Sequence, residues 1–196
     1  MRRLRLTQHL RLLGRLAQRG RSPAEGFAFA GGRYLIRVAN DLESRRKAYG
    51  LVYRLYLEKE YARPHRSRMW LSIFDALPET ATLLVERADT GAPVGALTVV
   101  FDSPLGLPAD QAYRPEVDAL RASGRRLAEV VSLAVAEDSA AGAQILVQLF
   151  NTAYFLARGI RGATDFVVTV NPRHVRFYRR LILFAQAGPE REYGKV

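Results

Sequence analysis

Apolar and polar positions alternate along this chain with two periods. From about residue 41 to 61, Tyr49, Val52, Tyr53 and Tyr56 share one helical face. From Ser139 to Arg158, Leu146, Leu149, Phe150, Ala153 and Ala157 form a second such stripe, with Gly159 at the expected C-cap. Between them lie runs of β type. Tyr34–Val38 is short, and Ala81–Arg87 and Val94–Phe101 flank the turn Asp89–Pro93 as a hairpin. Arg126–Val135 is a further strand, and Asp165–Val170 is a β-branched run of the kind buried on both faces. Asn40, with Glu43 three residues on, reads as the cap of the first helix.

Residues 62–80 are irregular, and 102–124 form a long connection with one or two helical turns at 115–122. Residues 172–183 read as a last helix. The predicted order is β-α-β-β-insert-β-α-β-α, hence a mixed α/β sheet rather than a parallel one. Ser22, Pro23, Gly26, Gly31 and Gly32 mark a linker and a turn. They divide a leader, 1–30, from one domain, 31–196, and 196 residues are enough for one core without disulfides or metal.

The leader changes the meaning of the charge. Of a net charge of +11, seven arginines and no acid in residues 1–21 supply +7. The remainder holds 23 basic and 19 acidic residues. Leu6, Leu10, Leu13 and Ala17 lie at helical spacing among those arginines. The stretch reads as an anchor on anionic lipid, or as a flexible leader or a helix docked on the domain. No cysteine is present, which excludes disulfides and thiolate chemistry. No uninterrupted apolar run approaches the ~18 residues of a membrane span. The expected location is the cytoplasm, with peripheral membrane contact through 1–21 as the variant.

Two groups of residues carry a resemblance. Asn171-Pro-Arg-His174-Val-Arg-Phe177-Tyr178, straight after a hydrophobic strand, resembles the last motif of the GNAT acyltransferase superfamily. Asp102-Ser-Pro-Leu-Gly106-Leu-Pro-x-Asp110, Leu120-Arg121-x-x-Gly124-Arg125 and Ala128-Glu129-Val-Val-Ser132-Leu133-Ala134-Val135 are similar to the bacterial long-chain N-acyl amino acid synthases, relatives of the acyl-homoserine-lactone synthases. The likeness spans about residues 36–193. The lactone synthases have an arginine where this chain has Ser132, and Leu183 stands at the usual glycine of the last motif. The resemblance implies a GNAT-like, mostly antiparallel sheet flanked by helices. That fold normally closes with one more strand, so either the strand is absent or another element covers the sheet edge.

Amide synthesis from a thioester needs a neutral amine, a stabilised oxyanion and a protonated leaving thiol. Glu129 is the only acid in Arg126–Val135, and the resemblance points to it as the base. The alternative is a solvent-facing Glu paired with Arg125 or Arg126. By resemblance, the N–H of Leu133, Ala134 or Val135 binds the thioester carbonyl. Tyr178 protonates the thiolate, or is a packed aromatic beside Phe177. The phosphopantetheine phosphate meets the helix start at Ser139, Ala140, Ala141, Gly142 and Ala143, with Asn171 beside it, unless those small residues only pack closely. One of Arg37, Arg46 and Arg54, near the first helix, is a candidate to bind the acceptor carboxylate, Arg54 preferred, unless it is one more of the 27 mostly surface arginines; Tyr53 and Trp70 are further substrate-binding candidates. Asp102 and Asp110 read as loop caps, and His174 as facing solvent or a donor phosphate. His9, His65 and His174 have no metal-ligand spacing, so no metal is expected.

The leading expectation is an N-acyltransferase moving a medium or long acyl chain from acyl carrier protein to an amino acid, with a role in lipid signalling. The rival is an ordinary GNAT enzyme using acetyl-CoA or another acyl-CoA. A third reading is a non-catalytic basic module on a membrane or nucleic acid. No nucleic-acid partner is expected, since the basic excess sits mostly in the leader. At the helix start, the basic position of the usual CoA motif holds Glu137 or Ser139, which favours the carrier protein as donor.

Overall fold

The computed structural model describes residues 26–137 and 139–192. The amphipathic leader at 1–21 and Asp138 lie outside them. Strand β1, Phe27–Phe29, turns through Gly31 and Gly32 into β2, Tyr34–Val38. Helix α1, Leu42–Glu58, follows, then a single 3₁₀ turn at Ile73–Ala76. The hairpin β3, Ala81–Arg87, and β4, Pro93–Phe101, leads through a loop to α2, Asp110–Ala122. Strand β5, Leu127–Val135, precedes α3, Ser139–Tyr154, and a short β6, Asp165–Val167. After a 3₁₀ turn at Pro172–His174 comes α4, Val175–Leu181.

The six strands lie in chain order, each antiparallel to the last except for β5 and β6, which are parallel. One face carries α3. Ile145, Leu149, Ala153 and Ala157 have no exposed surface there and pack with Leu83, Val85, Leu97, Val99, Ala128 and Val130. The other face carries α1, through Ala48, Leu51, Val52 and Leu55, and α2, through Val117 and its neighbours.

Several boundaries differ from the sequence reading. The cap of α1 is Asp41, not Asn40: its carboxylate accepts the Ser44 N–H at 2.8 Å, and the Asp41 N–H donates back to the Ser44 hydroxyl. The 102–124 insert holds a full helix, because Pro115 is accommodated by a kink at Tyr113. Gly159 does not end α3. The backbone continues through Phe155–Ile160 with a widened i→i+5 turn, in which Arg161 N–H reaches the Leu156 carbonyl. Residues 140–160 are thereby long and apolar enough to cross a membrane by length and composition, which counting uninterrupted apolar residues missed. One face of this helix is nevertheless sheet core. Strand β6 is only half-buried and stops at Val167, so the Asp165–Val170 run is not a two-sided core strand. Strand β1 falls within the stretch read as leader, so among the described residues the sheet begins at Phe27.

Candidate active site

Two irregularities in the sheet make the site. The first is a bulge in β5. Thr98 faces Val131 and Ala96 faces Ala134, leaving Ser132 and Leu133 opposite Leu97 alone. Ser132 takes a positive φ of 54° to allow it. The second is a fork. Strand β6 pairs with β5 only from Leu127 to Glu129, and beyond that the two diverge. The Ala136 N–H bonds the Val94 carbonyl, so by alternation the Ala134 N–H also points at β4. Of the three expected oxyanion donors, the Val135 N–H lies on the β6 side of β5 by this alternation, that of Ala134 faces β4, and Leu133 sits at the bulge with its carbonyl accepting from Tyr56.

Glu129 stands at the apex of the fork, since its partner Val167 is the last paired residue of β6. It is 1% exposed. Its Oε2 accepts the Ala109 N–H at 2.7 Å. Burial pushes the carboxyl up to about 7, with nearby Asp110 adding to the rise. The Ala109 N–H and the Thr169 hydroxyl pull the other way. The solvent-facing alternative fails: Arg125 pairs with Asp165, and Arg126 Nε bonds the Gly162 carbonyl. A carboxyl of this kind is part-ionised at neutral pH, as a base for an ammonium group requires.

Hydroxyls gather around the opening. Tyr178 is buried among Phe150, Phe177 and Phe184 in edge-to-face contacts, and burial raises its phenol to about 12. It is therefore both a packed aromatic and a phenol that stays protonated at neutral pH. Tyr56, from α1, directs its hydroxyl at the Leu133 carbonyl, 3.4 Å away, at the bulge itself. Its phenol is raised by burial, then by the proximity of Tyr178 and Tyr61. Tyr61 in turn meets His174 Nε2 at 3.4 Å. Burial, Arg173 and Lys59 lower the His174 pKa, so this imidazole is neutral at pH 7; it is exposed to solvent and meets Tyr61.

The remaining candidates scatter. Trp70 packs edge-on against Tyr56, 5.0 Å between ring centres, and so borders the opening. The Tyr53 hydroxyl accepts the His65 N–H and ties down the 62–70 segment. Arg54 is exposed and pairs with Glu58. Two positions from Tyr56 on the same helix, it emerges on another face. Asn171 is exposed and caps the turn after it, accepting from the Arg173 N–H. At the α3 start, Ala143 is exposed and Ala141 half-buried. A Cβ on Gly142 would collide with the Glu137 carbonyl oxygen, so close packing alone demands glycine there. Ser139 opens the helix, and Glu137 just before it is paired with Arg87 at 2.8 Å.

Sequence reasoning missed two features. Tyr56 sits on the same apolar stripe as Tyr49 and Tyr53, and only its place at the end of that stripe hints at reach beyond the core. Asp102 and Asp110, read as loop caps, are both gripped by Arg121. The signal was present in the quoted motifs, which contain all three residues.

Comparison with known proteins agrees with this geometry. The family model described as N-acyl amino acid synthase FeeM matches residues 47–196. Among solved structures, FeeM, an N-acyl amino acid synthase from uncultured soil microbes, is 26% identical, with 83% of this chain and 84% of that chain covered and a TM-score of 0.70. An acetyltransferase from Trypanosoma brucei is 18% identical over 82% of this chain and 99% of its own, with a TM-score of 0.54. TofI, solved in a ternary complex with an inhibitor and MTA, is 18% identical over 76% of this chain and 77% of its own, at 0.52. The last two show the shared fold alone. No curated protein matches the sequence.

Proposed function

The chain belongs to the N-acyl amino acid synthase FeeM family, an acyltransferase of GNAT-like fold, and on that premise we propose that it moves a medium or long acyl chain from acyl carrier protein to the α-amine of an amino acid. The observation that carries the reading is Glu129: a carboxyl 1% exposed, raised to about 7, at the apex of the fork between β5 and β6. In this reading Glu129 takes a proton from the acceptor ammonium, directly or through water. The freed amine attacks the thioester carbon. The oxyanion that forms is held by the Leu133 or Val135 N–H at the bulge. As the carbon–sulfur bond breaks, Tyr178 gives its proton to the departing thiolate and is reprotonated, through water, by the second proton that the attacking nitrogen loses; the proton taken by Glu129 passes to solvent. Products are the amide and the free thiol of the carrier.

The donor assignment rests on charge. Between Asp165 and Glu190 there is no acidic residue, while Arg173, Arg176, Arg179 and Arg180 are all exposed on and before α4. These arginines share one short segment with Tyr178, exposed where Tyr178 is buried, and suit an acidic protein surface. The helix start is a weaker argument than its sequence suggested, since Arg87 neutralises Glu137. The second reading, a CoA thioester as donor, draws its support from that same Arg87.

The test is donor and acceptor profiling of the purified protein, with products read by mass spectrometry. Acyl carrier protein and CoA thioesters of two to sixteen carbons are offered with each of the common amino acids. The expected result is N-acyl amino acid formed faster from long-chain acyl carrier protein than from the matched CoA thioester. Acetyl transfer from acetyl-CoA as the fastest reaction overturns the reading.

A further inference from the structure

One guanidinium organises the loop that contacts Glu129. Arg121, on α2, reaches Asp102 through Nε and Nη2, both at 2.8 Å. It reaches Asp110 through Nη1 at 2.8 Å and Nη2 at 2.6 Å. Nη1 also meets Asp118 at 2.6 Å. Asp102 follows the end of β4 and Asp110 begins α2, so this double bidentate grip closes the loop 103–109 at both ends. Within the loop, Asp110 Oδ2 accepts the Leu107 N–H at 2.6 Å. Gly106 turns with φ of 74°, where a side chain would strike Asp110. The final residue of the loop, Ala109, donates to Glu129. The loop is thus fixed from below by Arg121 and spends its last N–H on the buried carboxyl.

We propose that Arg121 is a positioning residue for Glu129: it holds the 103–109 loop so that the Ala109 N–H stays on the carboxyl, and it screens Asp110 from that carboxyl. Its consequence for turnover rests on the reading of Glu129 as base. The groups around Glu129 are Asp110 from the start of α2, the Thr169 hydroxyl beyond β6, and apolar Val100 directly opposite on β4. Arg121 and Arg114 stand beside Asp110 and hold its carboxyl below the usual range. Asp110 is the one charged group raising Glu129 among the described residues. Loss of Arg121 removes a donor that favours the ionised form and exposes a like charge. Both changes push Glu129 upward.

The test follows Glu129 itself. Its side-chain carboxyl is titrated by ¹³C NMR, assigned by its absence in Glu129→Gln, alongside kcat/KM against pH. In Arg121→Gln the titration is expected to move up by about one pH unit, a tenfold smaller ionised fraction below it. Adding Asp110→Asn takes the unscreened charge away, and the midpoint is expected to return toward the wild-type value. A general loosening of the structure would make the double variant worse, not better. Should Arg121→Gln not fold, Arg121→Lys carries the test: one cation without the fork gives a smaller shift in the same direction. A Glu129 midpoint that stays at its wild-type value in these variants overturns the inference. A midpoint that moves while the kinetic limb stays put supports the clamp and removes Glu129 as the base.

Discussion

At the residue scale the decisive quantity is the free energy of one buried carboxyl. Glu129 was legible in the sequence as the only acid in a core strand, but its environment was not. Its neighbours Ala109, Asp110 and Thr169 come from distant parts of the chain, and no local pattern links them. A raised acid has a signed effect on stability. Between the ordinary 4.5 and the folded value of about 7, the native state binds the proton more tightly than the unfolded one. Stability contributed by this group is present below pH 4.5 and is lost as pH rises to 7, by on the order of 3 kcal/mol. Glu129→Gln is therefore expected to remove a downward slope. The difference in unfolding free energy, variant minus wild type, rises from pH 4.5 to 7 in urea titrations and is flat above. Turnover moves the opposite way. The same substitution is expected to lower kcat by ~10²-fold or more and to abolish the acid limb near pH 7. A flat stability difference across this range would mean that Glu129 titrates normally. Tyr178→Phe keeps the three edge-to-face contacts and deletes only the hydroxyl. A loss of about 10²-fold in kcat, with an unchanged melting temperature, is the expected result in steady-state assays and thermal melts.

At the element scale the sheet has a register shift at Val85/Glu86, between β3 and β4, and the site lies where β5 bulges and parts from β6. The hairpin, the β5 strand and α3 were legible because period-2 and period-3.6 patterns are local properties. The bulge and the fork were not, because both are relations between strands. Nothing in Val130–Val135 distinguishes Ser132 as the residue with φ of 54° until Thr98 and Ala96 fix the register. The same limit explains α2. The sequence suggests only one or two turns at 115–122; the helix begins at Asp110, with a kink at Tyr113 before Pro115 and packing through Val117 against Val100, Leu107 and Leu127. The strain at Ser132 gives a prediction specific to the element. Ser132→Gly relieves the left-handed conformation, so activity is expected to persist with a melting temperature near that of the wild type. Ser132→Val places a β-branched residue where that conformation costs most. It is expected to destabilise by roughly 1–2 kcal/mol and to lower kcat by more than it raises KM, because the proposed Leu133 N–H donor shifts. Chemical denaturation and steady-state kinetics of the two variants check this.

At the scale of the whole molecule, charge is separated from chemistry. The buried site is nearly free of full charges, with Glu129 at its apex and phenols around its mouth. The cations lie outside it, on α4 and the turn before it. Arg173 is partly committed, stacked over Tyr61 at 5.2 Å. Arg176, Arg179 and Arg180 are exposed on a segment whose nearest acids in sequence are Asp165 and Glu190. A net charge of +11 points to polyanions in general, but its largest share sits in residues 1–21; Arg176, Arg179 and Arg180 stand out only because they share the last helix with Tyr178, which the sequence already shows. In the proposed reading, an acidic carrier protein docks on these arginines, on the helix that also carries Tyr178. A CoA thioester offers no comparable protein surface to these arginines. Reversing all three, Arg176→Glu, Arg179→Glu and Arg180→Glu, is therefore expected to raise KM for acyl carrier protein by tenfold or more at low salt, with kcat nearly constant. KM for the matched acyl-CoA should change by no more than about threefold. Raising salt from 0.01 M to 0.15 M shortens the Debye length from about 30 Å to 8 Å, so the wild-type KM for the carrier should climb toward that of the variant. Equal effects of the three reversals on both donors would detach α4 from carrier recognition.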